Sequence, residues 1–251
     1  MSVEIEIVPC LSDNYAYLVK SGTDCAVVDP SEPEPVKAAL AKLGWTPTHI
    51  LNTHHHIDHT GGNLALKAEF GVQVVGPAKD AARIPGLDIG VDEASGWSFD
   101  GRPVRVLEVP AHTRGAITFV IDGNAFTGDT LFTLGCGRLF EGDPATMWAS
   151  LSKLMTLPDD TLIWCGHEYT QSNGRFARSI EPGNAALEAR MKEVDAQRAA
   201  GKPPVPATLG LEKQTNPFLR PDNPEIRRSI GMENADTVTA FGEIRERKNN
   251  F

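Results

Sequence analysis

Short apolar runs separated by turns fill the first two thirds of the chain. Residues 3–8 (VEIEIV) alternate with period two and predict a strand; residues 14–19 (NYAYLV) predict a second, and the apolar run at 25–29 (CAVVD) a third with both faces covered. Residues 31–44 (SEPEPVKAALAKLG) predict a helix, with Ser31 and Glu34 spaced as a capping box and Gly44 as the stop. Strands follow at 49–53 (HILNT), 72–76 (VQVVG), 103–109 (PVRVLEV) and 161–166 (TLIWCG), with a helix at 63–71 (NLALKAEFG). Residues 116–128 (AITFVIDGNAFTG) predict a hairpin about Asp122-Gly123. A helix with Asp143 as cap and Pro144 at its first position occupies 143–158. Beyond about Thr170 the pattern turns helical: 184–201, 223–231 and 236–251 predict helices, and a stiff proline-rich connection covers 202–210. No strand candidate of comparable strength occurs there. The expectation is an α+β chain, with a strand-rich domain over 1–172 and a helical domain over 173–251. The irregular order of hairpins and helices places helices outside the sheets and does not match a regular βαβ series.

Composition narrows the classes. The chain has 251 residues, 41% hydrophobic and 23% charged, typical of a soluble globular protein. Its first residues carry too much charge for a secretory signal, and no apolar run reaches the roughly 20 residues of a membrane helix, so a cytoplasmic location with no membrane partner is expected. The four cysteines, Cys10, Cys25, Cys136 and Cys165, are dispersed without C-x-x-C spacing, which points to reduced thiols. The net charge of −9 weighs against a nucleic-acid partner while leaving room for a local basic pocket.

The chemistry concentrates in residues 52–63, NTHHHIDHTGGN, which hold four of seven histidines and an aspartate. So many imidazoles in so few residues have no packing rationale, whereas neutral imidazole and carboxylate are the common ligands of zinc and similar ions. The strand-to-loop transition lets His54 and His56 point to one place and Asp58 and His59 to a neighbouring one, while Gly61 and Gly62 let the chain turn away. The spacing is not the helical H-E-x-x-H pattern. Three more candidates, His112, Asp129 and His167, lie at strand ends, where sites are commonly built. Seven candidates exceed one tetrahedral shell; two ions about 3.5–4 Å apart, bridged by a carboxylate, would use them. His49 and His55 are expected to be structural.

These residues resemble the metallo-β-lactamase superfamily: THHHIDH at 53–59 fits its T-H-x-H-x-D-H signature, followed in order by PAHT with His112, TGDTLF with Asp129 and the final His167. The stretches GCGRLFEG, CGHEYT, NPFLR and RERK are similar to the hydroxyacylglutathione hydrolase (glyoxalase II) family, and the similarity spans nearly the whole chain. The resemblance implies an αββα sandwich with a C-terminal helical domain. It implies two divalent metals (zinc, iron or manganese), one held by His54, His56 and His112, the other by Asp58, His59 and His167, with Asp129 bridging and Asp29 supporting the histidine loop. It implies a monomer that hydrolyses S-D-lactoylglutathione to D-lactate and glutathione, with Arg245 and Lys248 as the glutathione anchor. Their i, i+3 spacing puts both cations on one helical face. Tyr169 and the segment from Arg138 to Phe140 match further glutathione contacts. Some members have lysine and tyrosine at the positions of Arg138 and Phe140, and Phe140 cannot donate a hydroxyl hydrogen bond. A second histidine that many superfamily members carry four residues after the third-motif one is here Ala116.

A metal-bound hydroxide shared by two ions, oriented by Asp58, would attack a thioester at neutral pH without a covalent intermediate. Cys136 and Cys165 flank the site segments, but a cysteine nucleophile needs a free base and a lowered pKa. Other expectations on this scaffold are a β-lactam or lactone hydrolase, a one-iron dioxygenase, an RNA-processing nuclease, or a non-catalytic metal-binding module. The complete second ligand set argues against the dioxygenase and the decayed module, the acidic charge against the nuclease, and the RERK tail for a small anionic substrate.

Overall fold

The computed structural model describes residues 2–251. The first sheet runs β1 (Glu4–Cys10), β2 (Asn14–Ser21), β3 (Asp24–Val28), β4 (His49–Leu51), β5 (Gln73–Pro77) and β6 (Ile89–Val91) in spatial order, antiparallel up to β3 and parallel from there on. A small ribbon, β7 (Ser98–Phe99) with β8 (Arg102–Pro103), leads to the second sheet. That sheet contains β9 (Arg105–Glu108), β10 (Ile117–Ile121) and β11 (Asn124–Gly128); after the short hairpin β12 (Leu131–Phe132) and β13 (Gly135–Cys136) it is completed by β14 (Leu162–Cys165) and β15 (Ala207–Thr208). Strand β14 lies parallel to β11, and β15 is antiparallel to β14.

Alternation along the strands makes the layers. On β2, Tyr15, Tyr17 and Val19 face a core shared with Phe119, Ile121, Phe126 and Trp164 of the second sheet. Their neighbours Ala16 and Leu18 face the other way, packing with Val36 and Leu40 of helix α1 (Pro33–Leu43). The second sheet repeats the arrangement, turning Leu107, Ala125 and Ile163 outward onto the C-terminal helices. Each sheet is therefore buried on both faces, which is why runs such as CAVVD lack polar alternation. Two sheets between two helical layers give the expected αββα sandwich.

The remaining helices are α2 (Ile57–Thr60), α3 (Asn63–Phe70), α4 (Pro144–Leu154), α5 (Thr170–Ile180), α6 (Ala185–Ala199), α7 (Leu209–Thr215), α8 (Pro224–Ile230) and α9 (Thr237–Asn249). The hairpin about Asp122 and Gly123 forms with both residues at positive φ, +51° and +78°, pairing Ile121 with Asn124. Asp143 caps α4 by accepting from Thr146 N–H at 2.8 Å, and Gly44 ends α1 in the left-handed region.

Two sequence expectations need correction. No capping box forms at Ser31: α1 begins at Pro33, its cap position is Glu32, and the Glu32 carboxylate accepts from Leu11 N–H at 2.7 Å. Pro33 already fixes the first helical φ, and Pro35, the third helical residue, lacks the N–H that a cap side chain would accept from. And the connection at 202–210 contains a strand, β15, which hydrogen-bonds along the edge of β14.

Candidate metal and anion site

The site lies where chain segments leave the strands. The loop after β4 carries His54 to His59, the β9–β10 loop carries His112, Asp129 follows β11, and His167 follows β14. Helix α2 starts immediately after His56, so His54 and His56 project from the irregular segment before the helix and Asp58 and His59 from its first turn. That change of backbone conformation splits a contiguous motif into two clusters.

The ligand atoms of His54, His56 and His112 lie within 4.8 Å of one another, and so do those of Asp58, His59 and His167. Asp129 sits between the two sets. Its Oδ1 is 3.3 Å from His59 Nε2; its Oδ2 is 3.4 Å from His112 Nε2 and 3.3 Å from His167 Nε2. A third grouping, Asp29 with His54 and His59, uses the rear of the His59 ring. There Asp29 accepts from Thr53 N–H at 2.8 Å and Thr53 Oγ1–H at 2.6 Å, and its Oδ2 lies 3.1 Å from His59 Nδ1. It braces the histidine loop and leaves His59 Nε2 facing the centre. Gly166 packs behind the same centre, where a Cβ would meet Asp129 Oδ1 at 2.5 Å and His59 Cε1 at 2.6 Å. His55 turns away to Asp80 at 3.1 Å, and His49 packs edge-on to Trp97 and Phe99.

These side chains fit bound divalent cations. His59 Nε2 faces His167 Nε2 at 3.3 Å, and His56 Nδ1 faces the Nε2 atoms of both His54 (3.2 Å) and His112 (3.1 Å). Protons cannot satisfy all these lone pairs, and buried Asp129 Oδ1 has no hydrogen-bond partner. Burial, together with the neighbouring imidazoles, holds His54 well below the usual histidine range and His56 at about 4, and burial lowers His112, so the first cluster is neutral and ligand-ready. In the second cluster burial pulls the other way but the carboxylates prevail: Asp129 and Asp58 raise His167 to about 10, and Asp129 and Asp29 raise His59. Burial would raise Asp129, yet His59 and His167 hold it well below the carboxylate range. Positive charge is wanted at this point, and a cation would supply it.

Sequence reasoning missed two supports. Asp13 Oδ1 lies 2.8 Å from His167 Nδ1, and Asn14 Nδ2 donates to Asp58 Oδ2 at 3.2 Å. The β1–β2 turn that carries them is over 40 residues from either partner, and no local motif marks it.

A cleft of about 550 Å³ opens from the histidines toward α9. Tyr169 stacks on His167 with ring centroids 4.8 Å apart, and Phe132 meets both rings edge-on. Farther along, Arg245 is 5% exposed and donates from Nη1 to Cys136 O at 2.8 Å. Lys248 Nζ donates to Ser172 Oγ at 3.2 Å between the rings of Phe176 and Phe251. Burial and the charges of Arg245, Arg175 and Arg138 push the Lys248 amine down to about 8. Arg138 lines the same cleft, and its backbone carbonyl lies 3.0 Å from His112 Nδ1. Arg138, Arg245 and Lys248 have no carboxylate partner among the described residues, although the chain is acidic overall. Phe140 is 61% exposed and rests against His56 and His112, not against the cations. Cys136 and Cys165 are buried, with thiols raised to about 11 and about 12 by burial.

This sandwich and its histidine loop define a class. Residues 12–167 match the family model described as the metallo-beta-lactamase superfamily. Residues 168–251 match the one described as the hydroxyacylglutathione hydrolase C-terminus. A Rhodospirillum rubrum relative named hydroxyacylglutathione hydrolase is 52% identical over 100% of this chain and 99% of its own. The chain belongs to the hydroxyacylglutathione hydrolase family of that superfamily. Among solved structures, ETHE1 from Myxococcus xanthus shares the fold with a TM-score of 0.69 and 24% identity, over 98% of this chain and 90% of its own. TTHA1623, solved in a di-iron-bound form, has a TM-score of 0.60 and 28% identity, over 85% and 98%. No helix among the described residues is long and apolar enough to cross a membrane.

Proposed function

We propose that the chain hydrolyses the thioester S-D-lactoylglutathione, and related S-2-hydroxyacylglutathiones, to D-lactate and glutathione, the second step of methylglyoxal detoxification. The observation that carries this reading is the continuity of two features. A seven-residue His/Asp cluster opens directly into a cleft lined by unpaired cations. The 52% identical relative named for the same substrate class supports it.

In this reading His54, His56 and His112 would hold one divalent ion and Asp58, His59 and His167 a second, with Asp129, which lies between the two sets, available to both; zinc is the first candidate, iron or manganese the others. TTHA1623 in its di-iron-bound form supports a two-ion site on this scaffold. Bound there, such ions supply Lewis acidity and make water a competent nucleophile at neutral pH. Asp58, kept ionised by its hydrogen bonds to His167 and Asn14, orients that water. Arg245 and Lys248 pair with glutathione carboxylate, and Arg138 and Tyr169 line its path, fixing the thioester against the cluster. The leaving thiolate needs little protonation, since thiols have pKa values near about 8.5. The raised thiols of Cys136 and Cys165 leave water, not cysteine, as the attacking group.

We further read residues 1–172 as the catalytic unit and 173–251 as the substrate-binding unit, joined through the β14–β15 pairing. The protein would work as a monomer in the cytoplasm, the compartment whose glutathione keeps thiols such as its four free cysteines reduced. The test is an S-D-lactoylglutathione assay with and without chelator, with metal analysis of the same sample. No hydrolysis by metal-replete protein would overturn the reading.

A further inference from the structure

The hairpin β12–β13 supplies both ends of the cleft. Phe132 lies edge-on to His167 and Tyr169, and the Cys136 carbonyl receives Arg245. Its turn, residues 132–135, is strained: Leu134, a bulky residue, has φ +59°. Such conformations are unfavourable for a bulky residue and persist only where the surroundings enforce them.

Here the enforcement comes from three buried polar side chains of the C-terminal helices. Glu212 of α7, 0% exposed, accepts from the N–H of Leu134 itself at 2.8 Å through Oε2. Asn216, also 0% exposed, donates from Nδ2 to Phe132 O at 3.2 Å, to Gly135 O at 3.0 Å and to Glu212 Oε2 at 3.0 Å. Asn173 of α5 donates to Thr133 O at 3.2 Å. Backbone polar groups throughout the turn are thus met by side chains more than 35 residues away in sequence. A fully buried carboxylate is costly for simple scaffolding. Burial raises Glu212 to about 7, against the opposing effects of its two hydrogen bonds and the Arg190 charge. Its other oxygen, Oε1, has no partner.

We propose that Glu212 is a positioning residue for the thioesterase reaction: through Leu134 and Asn216 it holds the strained turn that presents Phe132 and the Cys136 carbonyl to the cleft. It touches neither the His/Asp cluster nor the cleft and acts through the hairpin. The inference rests on the proposed function and deepens it by naming what sets the geometry of glutathione binding.

The prediction separates binding from chemistry. Without its acceptor the Leu134 N–H is left buried and unpaired and the turn relaxes, so Glu212→Ala should raise KM for S-D-lactoylglutathione by about tenfold while kcat falls by no more than about threefold. Metal content should stay unchanged, and the Kd of glutathione measured by calorimetry should rise in parallel. Glu212→Gln keeps an acceptor at Oε and should restore both constants to within about twofold of the native values. Unchanged KM and Kd in a Glu212→Ala protein of lowered Tm would reduce the residue to structural packing and overturn the proposal. So would a Glu212→Gln protein as defective as the alanine variant. Should Glu212→Ala fail to fold, Asn216→Asp keeps the oxygen that caps Phe218 N–H while losing the donors to Phe132 and Gly135. It should show the same rise in KM and Kd, and native values would overturn the proposal. Calorimetry reads glutathione affinity without turnover, so a native protein that binds glutathione but leaves the thioester intact would fail the functional reading alone.

Discussion

Arg245 and Lys248 share one face of α9 in different environments, and the difference separates their behaviour. Arg245 is nearly buried and already oriented by the Cys136 carbonyl, so its charge is held ready for a carboxylate. A hydrogen bond to a charged group contributes about 1.5–3 kcal/mol, so Arg245→Ala should raise KM by about 10- to 100-fold and change kcat little. An unchanged KM in steady-state kinetics would remove its anchor role. Lys248 instead titrates in the working range. Its amine is depressed to about 8, so most of it is charged at pH 7 and that charge is lost as pH rises through 8. KM should therefore climb between pH 7 and 9.5, and Lys248→Arg, which stays charged, should flatten that rise. A native KM that is flat over this interval would contradict the assignment. Sequence motifs marked the residues that the fold gathers at the cluster and cleft: the histidine loop, Asp129, His167 and the Arg-x-x-Lys pair. Asp13, Asn14 and Glu212 were not, because each acts on a segment distant in sequence and has no periodicity or spacing of its own.

At the scale of elements, helix α4 shows how stability and activity separate. It packs against α9 through Trp148 and Phe241, ring centroids 6.0 Å apart, and none of its own residues lines the cleft. Asp143 caps it through Thr146 N–H and Thr146 Oγ1–H. Asp143→Ala should cost about 1 kcal/mol and lower Tm by about 2–4 °C, with kcat and KM within twofold of native. A large kinetic loss in a scan of purified variant protein would show that the cap reaches the site. Sequence patterning located this helix because its cap, first-turn proline and apolar face agree. It located the sheets because period-two alternation or a continuous apolar run marks each long strand. It did not locate α2, whose four residues are too few to show a helical period, nor α5, which opens with Thr, Gln, Ser, Asn and Gly, all but Gln weak helix formers. Strand β15 is two residues long beside prolines, and it exists because the edge of β14 offers it hydrogen bonds. That information is tertiary.

At the scale of the whole molecule, charge links folding to function. The chain carries a net −9, yet Arg138, Arg245 and Lys248 stand without a carboxylate partner in one cleft, and buried imidazoles and carboxylates gather at the other end of that cleft. Both sheets contribute: β4 leads to the histidine loop, while β11 and β14 lead to Asp129 and His167. Filled with divalent cations, the centre ties the two sheets together at the point where their strands end. Emptied, it leaves Asp58 and Asp129 among imidazoles whose lone pairs face one another. A ligand that binds only the folded state stabilises it by about 4 kcal/mol at a thousandfold excess over Kd. At about 2–4 °C per kcal/mol for a chain of this size, one tightly held ion corresponds to a Tm difference of about 8–16 °C. Exhaustive chelation should therefore abolish S-D-lactoylglutathione hydrolysis and lower Tm by at least that amount, and returning zinc, manganese or iron(II) should restore both. The loss should exceed that of Arg245→Ala, because in the proposed reading the anchor governs how the substrate binds while the centre governs whether water can attack. Scanning calorimetry and the thioester assay on one chelated sample, with its metal content measured, decide the matter. A metal-free protein with native Tm and native turnover would show that the clustered side chains hold the sheets together and activate water without any ion.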